Sequence, residues 1–473
     1  MDSLNDNSLV SLPTEILVAI TIYLTDPEKI NLICCCRELY QIKSILKFDT
    51  QLRLSQIIKN NYYDNFTSIL VDLKEPLKPY ARILRGVTHL AFGNKFNQPL
   101  DTYIPHGVTH LVFGTRFNQY LRNSIPESVT HITFGNRYNK PLRQGLPLNL
   151  SYLKFGANFN CELSSGIPSS VTHLILGNNY NQPLGTSLPT SLKYLELGRD
   201  FNQPLGTSLP ASLTHLEFGN AFNQSLDASL PANLLHLKLG CYFNQPLNTS
   251  IPTSVTHLVL GDTYNHSLGI SIPPSVTHLI LGQCFNQPLG ISIPASVTHL
   301  TFGYYFNQPL GISLPASLIY LKFGDRFNQP LGTSLPASVG HLIFRSHLNH
   351  SQDISVHNSL TYLPTSLTHL IFGARFNQPL GTSLPDSLIH LEFGDDFNQP
   401  LGTSIPRGVT HLIFGDYFSQ TLGTSIPDTV THLQFGDYFD QQLNIPASVI
   451  ELRLSTNYTT DVSKHKSILK WIR

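Results

Sequence analysis

Histidine has the widest chemical repertoire of the residues in this chain, and its placement is regular. Fourteen of the 20 histidines recur at multiples of 21 residues, with one spacing of 28, and Tyr152, Tyr194 and Tyr320 fill the same position in three other copies. A repeated imidazole can bind a metal ion, transfer protons or stack on its own copies. The column comprises His89, His110, His131, His173, His215, His236, His257, His278, His299, His341, His369, His390, His411 and His432.

The spacing of this column favours stacking over metal binding. Copies on neighbouring strands of a parallel sheet would form a row with a step of about 4.8 Å. A zinc site instead needs three or four ligands that converge on one point, and tyrosines interrupt the row. Because neighbouring imidazolium ions repel one another, we expect a mostly neutral ladder on an exposed sheet face, with a metal site as the minor alternative.

Other chemistry has less support. Ser, His and Asp repeat alike from copy to copy, whereas an active site needs one unique constellation, and the common nucleotide, zinc-protease and serine-hydrolase motifs are missing. We therefore expect a protein that is not an enzyme and that needs no cofactor or metal. The cysteines lack C-x-x-C spacing, which predicts free thiols in a reducing compartment. They are Cys34, Cys35, Cys36, Cys161, Cys241 and Cys284.

Composition limits the partners. The chain has 473 residues, with 30 Lys+Arg against 30 Asp+Glu, and a pI near 7.3. Nucleic acids and anionic membranes are bound through basic surfaces, so we expect neither as the main partner. No apolar run approaches the ~18 residues of a membrane span, and the N-terminal residues do not resemble a secretory signal. These features predict a cytoplasmic protein.

A repeat of 21 residues must position the histidines. From residue 87 an Ile/Leu-Pro pair recurs, with a seven-residue insertion near residue 350 and a two-residue deletion before the last copy. In one copy Leu213, Leu216 and Phe218 have the L-x-x-L-x-L spacing of a short strand with one buried face. Proline and glycine in the second half of each copy exclude a helix there. The Thr that precedes most histidines is expected to point to the opposite side of the strand.

Three further columns have structural roles. A glycine follows the strand in 16 of 17 copies, from Gly93 to Gly436, as expected where the chain turns through positive φ or packs closely. The next Phe or Tyr, for example Phe96, is expected to stack as an aromatic spine. The neighbouring Asn, replaced by Ser419 and Asp440 in two copies, is expected to bond the backbone of its own and the next turn. Together these columns predict a right-handed, mainly-β solenoid with one parallel sheet along one face.

The Leu-Pro and L-x-x-L-x-L pattern resembles a leucine-rich repeat, and its Phe-Asn-Gln and Ile-Pro signature is closer still to the FNIP repeat of social amoebae and giant amoebal viruses. The resemblance covers the predicted solenoid, residues 87–455. It implies a binding module rather than a catalyst, located in the cytoplasm, or in a host's cytoplasm if the chain is viral.

Residues 8–50 have a different pattern. LPTEIL and DPEKINLICCCRELY predict two helices, with Pro27 in the first turn of the second helix. This segment is similar to the F-box, although Tyr40 stands where that pattern usually has Trp. The F-box resemblance implies contact with the Skp adaptor of a cullin-based ubiquitin ligase, and the alternative is a hairpin that only caps the solenoid. The residues implied in the contact are Leu12, Pro13, Ile16, Leu17, Ile20, Leu24 and Leu32.

Two segments flank the solenoid. Residues 51–86 are predicted to be a connector and N-terminal cap, with a helical start and an imperfect first strand in FTSILVDL. Residues 456–473 are predicted to be a C-terminal cap, with an amphipathic helix from Val462 to Arg473. That helix would direct Ile468, Leu469, Trp471 and Ile472 inward.

Columns that vary between copies are the candidates for binding a captured protein. One faces out beside the histidines and carries Ile175, Val259, Ile280, Ile371 and Ile413, interspersed with Lys and Glu. Exposed β-branched residues suit an apolar contact, and the alternative is that they only favour strand formation. The other follows the glycine. Early copies carry Lys95, Arg116 and Arg137 there, and late copies carry Asp395, Asp396, Asp416 and Asp437.

Two functions are consistent with these features. The first is a substrate receptor that binds a target protein through the solenoid and a Skp–cullin ligase through the F-box-like segment. The second is a repeat scaffold without coupling to ubiquitin transfer. The insertion near residue 350 is either a partner contact or a tolerated bulge, since lengthening a surface loop costs little entropy.

Overall fold

A computed structural model describes residues 14–34, 46–57, 66–72, 86–100, 104–143, 145–163, 166–226, 229–311, 314–331, 333–345, 362–381 and 384–472. These residues divide into two units, the first ending at Gly219 and the second beginning at Asn220. Both units are mainly β. No helix in the described ranges combines the length and apolar character needed to cross a membrane. Leu12, Pro13, Tyr40, two of the cysteines and residues 346–361, which contain the seven-residue insertion, lie outside these ranges.

The first unit opens with two helices, α1 (Thr14–Thr21) and α2 (Asp26–Cys34). Strand β1 (Leu52–Arg53), the short helix α3 (Leu54–Ile57) and strand β2 (Ser68–Val71) follow. The repeat then supplies β3 (His89–Phe92), β4 (His110–Val112), β5 (His131–Thr133), β6 (Tyr152–Lys154), β7 (His173–Ile175), β8 (Tyr194–Glu196) and β9 (His215–Glu217). Each strand from β1 to β9 pairs in parallel with the next along the chain.

The second unit continues the same architecture. Its strands also pair in parallel, each with the next along the chain. They are β10 (His236–Lys238), β11 (His257–Val259), β12 (His278–Ile280), β13 (His299–Thr301), β14 (Tyr320–Lys322), β15 (His341–Ile343), β16 (His369–Ile371), β17 (His390–Glu392), β18 (His411–Ile413), β19 (His432–Gln434), β20 (Glu451–Ser455) and β21 (Leu469–Ile472).

The register of strand pairing follows the 21-residue repeat, so that equivalent residues of successive copies lie side by side. Because the side-chain period of a strand is two, the central leucine of each three-residue strand points inward while the residues on either side point outward. Leu90 pairs with Leu111, and Leu258 pairs with Leu279. The longer copy leaves this register intact, because Leu342 still pairs with its equivalent one turn later. The predicted parallel, mainly-β solenoid is confirmed in each unit, and the parallel pairing begins at β1, before the repeat becomes recognisable at residue 87.

The core consists of columns of identical side chains. In one turn Leu192, Leu195, Leu197, Phe201 and Leu205 are all 2% exposed or less. Each such side chain contributes about 1.5–3 kcal/mol through removal of apolar surface from water.

The predicted aromatic spine is present in both units. Phe117 stacks on Tyr138 with ring centroids 6.0 Å apart, and Phe397 stacks on Phe418 at the same spacing. A second aromatic column packs against it within each turn, as Phe113 does against Phe117 at 4.2 Å.

Close packing, not positive φ, explains the glycine at the strand end. A Cβ on Gly135 would lie 2.0 Å from the carbonyl oxygen of Gly114, and one on Gly198 would lie 1.7 Å from that of Gly177. No side chain fits at that distance. The positive φ values occur instead at a second glycine, in the corner after the buried leucine, for example Gly206 at φ +54°.

The predicted asparagine ladder is also present. The side-chain oxygen of Asn97 accepts hydrogen bonds from the backbone N–H of Asn118 (2.9 Å) and from the side-chain amide of Gln119 (3.1 Å) on the next turn. The ladder therefore satisfies backbone donors on the proline-rich side, where no strand partner exists. Where Asn is replaced, Ser419 donates to Asp440 at 2.5 Å.

The predicted C-terminal helix is wrong. Residues 469–472 form strand β21, which pairs in parallel with β20, and the preceding segment contains only a short 3₁₀ helix, Ser463–His465. Trp471 is 50% exposed rather than inward. The open edge of β20 offers a row of backbone donors and acceptors, and an isolated helix of about twelve residues is marginal in water, so strand pairing is favoured.

Candidate protein interface

The exposed face of the sheet carries two side chains from each turn. In β12, for example, His278 and Ile280 flank the buried Leu279. The histidine column is half-buried in most turns and the column beside it is half-buried to exposed. This alternation confirms the predicted placement of the histidines opposite the inward leucines.

Most histidines of the column are held by a threonine that directly precedes them, a contact that the sequence analysis missed. The Oγ1 atom of Thr277 lies 2.9 Å from Nδ1 of His278 and donates to the backbone carbonyl of Thr256 at 3.2 Å. Because the threonine hydroxyl and Nδ1 can each donate or accept, this contact holds the imidazole ring in place in either neutral tautomer. Thr109 and His110 form the same arrangement in the first unit.

The imidazole rings stack. The rings of His89 and His110 lie 4.2 Å apart, as do those of His257 and His278. Burial, with a further contribution from neighbouring histidines, lowers the pKa of six members of the ladder, as predicted for a row that is kept mostly neutral. The members with lowered pKa are His110, His131, His257, His278, His369 and His411.

The free thiols and the histidines do not form a reactive centre in the described part of the chain. Cys161, Cys241 and Cys284 are free and half-buried. Burial raises the pKa of the Cys161 thiol, and burial with a hydrogen bond to Asp262 raises that of Cys241, which disfavours the reactive thiolate. The same residues contain no group of three His, Cys, Asp or Glu side chains that converge as metal ligands.

The outward β-branched column is only partly continuous. Val259 pairs with Ile280, which is 43% exposed. Ile371 pairs with Ile343 in the same way. Ile413 lies between Glu392 and Gln434, and Ile175 between Lys154 and Glu196, so the structure brings together two apolar pairs rather than one strip.

The acidic column lies along the strand ends of the second unit. Asp395, Asp416 and Asp437 occupy equivalent positions on successive turns, and the backbone carbonyl of Asp395 accepts from the N–H of Tyr417 at 2.9 Å. Burial, together with Asp416 and Asp396, raises the pKa of Asp395. Beside this column Tyr417 stacks on Tyr438 with ring centroids 4.9 Å apart, and both rings are at least half exposed.

Other exposed aromatic residues on this rim were not singled out from the sequence. Tyr304 and Tyr305 meet edge to face at 4.7 Å, and the guanidinium of Arg326 on the next turn lies 5.6 Å from the first ring and 5.8 Å from the second. Tyr and Arg are the residue types most enriched at energetically important contacts between proteins. The signal was present in the variable pair after the glycine, where Tyr recurs.

The helical pair, α1 and α2, is fixed to residues 46–50, which follow it in the chain. At the start of α2, Glu28 accepts from the backbone N–H and the hydroxyl of Thr25, both at 2.7 Å. Buried Lys29 forms an ion pair with Asp26 at 3.2 Å and donates to the carbonyl of Lys47 at 2.8 Å. Asp26 in turn accepts from the N–H of Thr50. Burial opposes ionisation of Asp26, but the hydrogen bonds from Thr50 and Lys29 lower its pKa overall.

The predicted adaptor-contact residues differ in exposure. Ile16 is 47% exposed, whereas Leu17 is buried. Ile20, Leu24 and Leu32 are half-buried. At the end of α1 two apolar side chains that were not singled out are the most exposed, Ile22 at 77% and Tyr23 at 89%.

The part of the chain that matches a known protein family is the repeat region. Residues 96–347 and 358–457 match the family described as FNIP Repeat, in overlapping stretches that leave out part of the insertion. None of the curated proteins compared with the chain matches it.

Three solved structures are similar. CroV588, described as a novel circular LRR protein, has a TM-score of 0.71 and 34% sequence identity over 90% of this chain and 71% of that chain. YopM from Yersinia enterocolitica has a TM-score of 0.40 and 17% identity over 78% and 87% of the two chains. The mouse RP105/MD-1 complex has a TM-score of 0.47 and 12% identity over 87% and 92%.

The family match covers well over half of the chain and coincides with the 21-residue copies whose Leu, Gly, Phe and Asn columns build the two units. The fold is a leucine-rich-repeat-like solenoid of a kind that generally binds other proteins rather than catalysing reactions. The chain belongs to the FNIP repeat family.

Proposed function

We propose that this chain is the substrate receptor of a Skp–cullin ubiquitin ligase. Its solenoid would bind the target protein, and its helical pair would bind the Skp adaptor. The chain itself performs no chemistry in this role, which consists of bringing the target close to the ligase. Such a receptor works in the cytoplasm, or in the cytoplasm of a host cell if the chain is viral.

The exposed apolar surface of the helical pair is the observation that carries this proposal. Ile16, Ile22 and Tyr23 lie within eight residues of one another, and each exposes about half or more of its side chain. Apolar side chains in contact with water cost free energy that a partner would recover, at about 25 cal/mol per Å² buried. The F-box resemblance of residues 8–50 supplies the identity of that partner.

A second function, a scaffold without ligase coupling, is favoured by a different observation. The Asp26–Lys29 pair fixes α2 to residues 46–50, and the ring of Phe48 packs on Phe66 at 5.4 Å, ahead of strands β1 and β2. A segment fixed in this way can also serve to cover the first turns of the solenoid. The two functions differ in one observable, which is binding to a Skp adaptor.

Co-purification of the full chain with a Skp adaptor and a cullin tests the proposal. The substitution Tyr23→Asp, or Leu12→Ala with Pro13→Ala, should abolish binding while the solenoid stays folded by circular dichroism. Ile291→Asp is the matched control, because that residue is 93% exposed in the repeat region. Wild-type chain that binds no Skp adaptor would leave the scaffold function in place.

We propose that the target protein binds to the exposed face of the sheet and to the acidic column along the strand ends. The apolar pairs at Val259–Ile280 and Ile343–Ile371 would supply buried contact area, and the acidic column would orient a basic partner and speed its encounter. Ile175 and Ile413 lie between polar neighbours and would contribute less. The outward position of these residues supports this choice, as does the pKa of Asp395, which is raised by burial and then by the nearby carboxylates of Asp416 and Asp396.

Cross-linking of captured proteins tests this surface. Replacing Asp395, Asp396, Asp416 and Asp437 with Lys should weaken capture and remove its salt dependence, without lowering the thermal midpoint. Replacing Ile280 and Ile371 with Asp should weaken capture mainly through faster release. If both variants capture the same proteins as wild type, the target binds elsewhere, and the proline-rich side becomes the candidate.

A further inference from the structure

Two arginines occupy a backbone position that most described turns give to glycine, and Asn248 (φ +48°) occupies it in the second unit. At the corner after the buried leucine, eight turns have glycine with φ between +50° and +62°. In two neighbouring turns of the first unit the corner residues are Arg122 (φ +49°) and Arg143 (φ +48°), and Asn123 (φ +55°) follows the first of them. A side chain is disfavoured in this region of φ, so arginine is present here against the local backbone preference.

Packing does not explain these arginines. A Cβ built on the corner glycines Gly185 or Gly206 would meet no atom within 4 Å, so the corner side chain extends into open space. An arginine there contributes little to the core. A backbone strain retained without a packing benefit is a reason to look for a binding role.

The two corners line one recess. It has a volume of about 410 Å³ and is lined by Tyr120, Leu121, Arg122, Asn123, Pro141, Leu142, Arg143 and Gly145. Tyr120 stands where neighbouring turns have Pro99 and Pro141, and Lys140 stands where the two preceding turns have glutamine. The departures from the repeat therefore fall together, on one side of two adjacent turns.

Tyr120 holds two of the positive charges close together. The Lys140 ammonium lies 5.3 Å from the centroid of its ring, and the Arg143 guanidinium lies 5.6 Å from it. Both distances are within the range of a cation–π contact. The ring is 41% exposed, so it carries the cations at the surface rather than in the core.

These charges are not neutralised by the described residues. None of the carboxylates in those ranges forms an ion pair with Arg122, Lys140 or Arg143. Glu127 lines an adjoining recess of about 450 Å³, where its carboxylate accepts the N–H of Leu148 at 2.7 Å.

Two backbone N–H groups belong to residues that line the same recess. The N–H groups of Arg122 and Asn123 make no hydrogen bond to another described residue. Successive N–H groups in turn conformations form concavities that bind anions.

We propose that this recess binds a phosphate monoester on a protein partner, that is, a phosphorylated side chain. Two guanidinium groups can donate in pairs to phosphate oxygens. Lys140 adds a third charge, and a phosphate of about −2 matches this set better than a single carboxylate does. This site does not depend on whether the helical pair binds an adaptor.

The chemistry favours a single phosphate over a nucleic acid. Nucleic acids are bound along extended basic surfaces that neutralise several phosphates in a row. Here two arginines line one recess and Lys140 lies against Tyr120, which also lines it, in a chain of formal net charge +0, and Glu127 lines the adjoining recess. A compact, single phosphate group fits that arrangement.

Calorimetric titration of the full chain with N-acetyl-phosphoserine amide tests the site. Inorganic phosphate, N-acetyl-glutamate amide and a short oligo(U) RNA are the comparison ligands. The variants are Arg122→Gly with Arg143→Gly, and Lys140→Gln, each of which introduces the residue common in other turns. Arg116→Gln removes the same charge from an exposed residue outside the recess and is the control.

We expect phosphoserine to bind more tightly than the glutamate or inorganic phosphate probes. The double glycine variant should bind it at least about tenfold more weakly, with a thermal midpoint equal to or above that of wild type, because glycine suits the corner. Arg116→Gln should bind as wild type does.

Four results would overturn the proposal. They are no saturable binding of phosphoserine to wild type, an equal loss in Arg116→Gln, equally tight binding of the glutamate or inorganic phosphate probe, and tighter binding of RNA that the glycine variant also loses.

Discussion

The repeat array and the helical pair are stabilised in opposite ways. In the array each buried side chain packs on its own copy one turn away, as Phe117 does on Tyr138. In the helical pair, among the side chains described, Leu17 is the one buried apolar residue, and Thr21, Asp26 and Lys29 are buried with it. Among the described side chains, distributed apolar contacts hold the array, whereas Leu17 and a few polar contacts hold the pair.

This difference separates stability from function. Columns that repeat are needed to hold the turns together, so they carry little information about a partner. The candidate binding surfaces all lie outside the repeated columns. They are the exposed apolar side chains at α1, the acidic column, and the recess lined by Arg122 and Arg143. Substitutions in repeated columns should therefore destabilise the array, whereas those at departures should change binding.

The largest effect is expected at the strand-end glycines. In Gly198→Ala the new Cβ would lie 1.7 Å from the carbonyl oxygen of Gly177, so neighbouring turns must separate. We expect a loss of at least about 3 kcal/mol in the free energy of unfolding, measured by urea denaturation. The control is Gly206→Ala at the open corner, where only φ is unfavourable and the loss should be about 1 kcal/mol. Equal losses would contradict the close-packing explanation.

Breaking the helical pair should have a smaller and local effect. Lys29→Met leaves the buried carboxylate of Asp26 without its ion pair. We expect the opening free energy of α2 to fall by about 2 kcal/mol, because a buried charge loses its partner. Hydrogen exchange should show faster exchange in α2 and unchanged exchange in β3–β8. Faster exchange throughout the strands would show that the two regions are not independent.

A tyrosine-to-phenylalanine pair separates apolar from polar contributions within the array. The Tyr138 hydroxyl is buried and has no hydrogen-bond partner in the described structure, and burial raises its pKa. Tyr138→Phe should therefore stabilise the chain by about 1 kcal/mol in thermal unfolding. Tyr458→Phe should destabilise it by a similar amount, since that hydroxyl donates to the carbonyl of Gln441 at 2.9 Å. The same sign for both would contradict this account.

Lowering the pH should reduce the free energy of unfolding of the array gradually. Each histidine should contribute less to this loss than any of the substitutions above. The pKa of histidines such as His278 is lowered from 6.5 in the folded chain, chiefly by burial. The folded state thus binds fewer protons than the unfolded state. The stability contribution is complete above about pH 6.5 and is lost as the pH falls towards the lowered pKa. The urea midpoint should fall with pH in that range, and His278→Tyr, the residue found in three other turns, should flatten the fall. A midpoint that rises on acidification would contradict the neutral ladder.

The sequence was sufficient for features that depend on spacing alone. The L-x-x-L-x-L columns, the aromatic spine and the asparagine ladder were predicted because each position meets its own copy. Features that depend on the local backbone geometry within one turn were not predicted. Which glycine has positive φ is one, and the bond between Thr277 and His278 is another, since a residue just before a strand can turn its hydroxyl towards the next side chain.

The structure of the chain ends was harder to predict, because the 21-residue pattern does not extend to them. Residues 469–472 have the composition of an amphipathic helix, but the open edge of β20 determines their structure. The adaptor residues were inferred from a resemblance, and the exposure of Ile22 and Tyr23 could not be seen in the pattern. Arg122 and Arg143 were visible as departures from glycine, yet their common recess follows only from the stacking of turns.

Hydrogen exchange of the full chain with and without a Skp adaptor tests the receptor function most directly. The account predicts protection confined to α1 and α2, in residues 14–34, with exchange in strands β3–β8 unchanged. It also predicts that Tyr23→Asp removes the protection while Ile291→Asp leaves it intact. No protection at saturating adaptor, or protection on the sheet face instead of the helices, would contradict it.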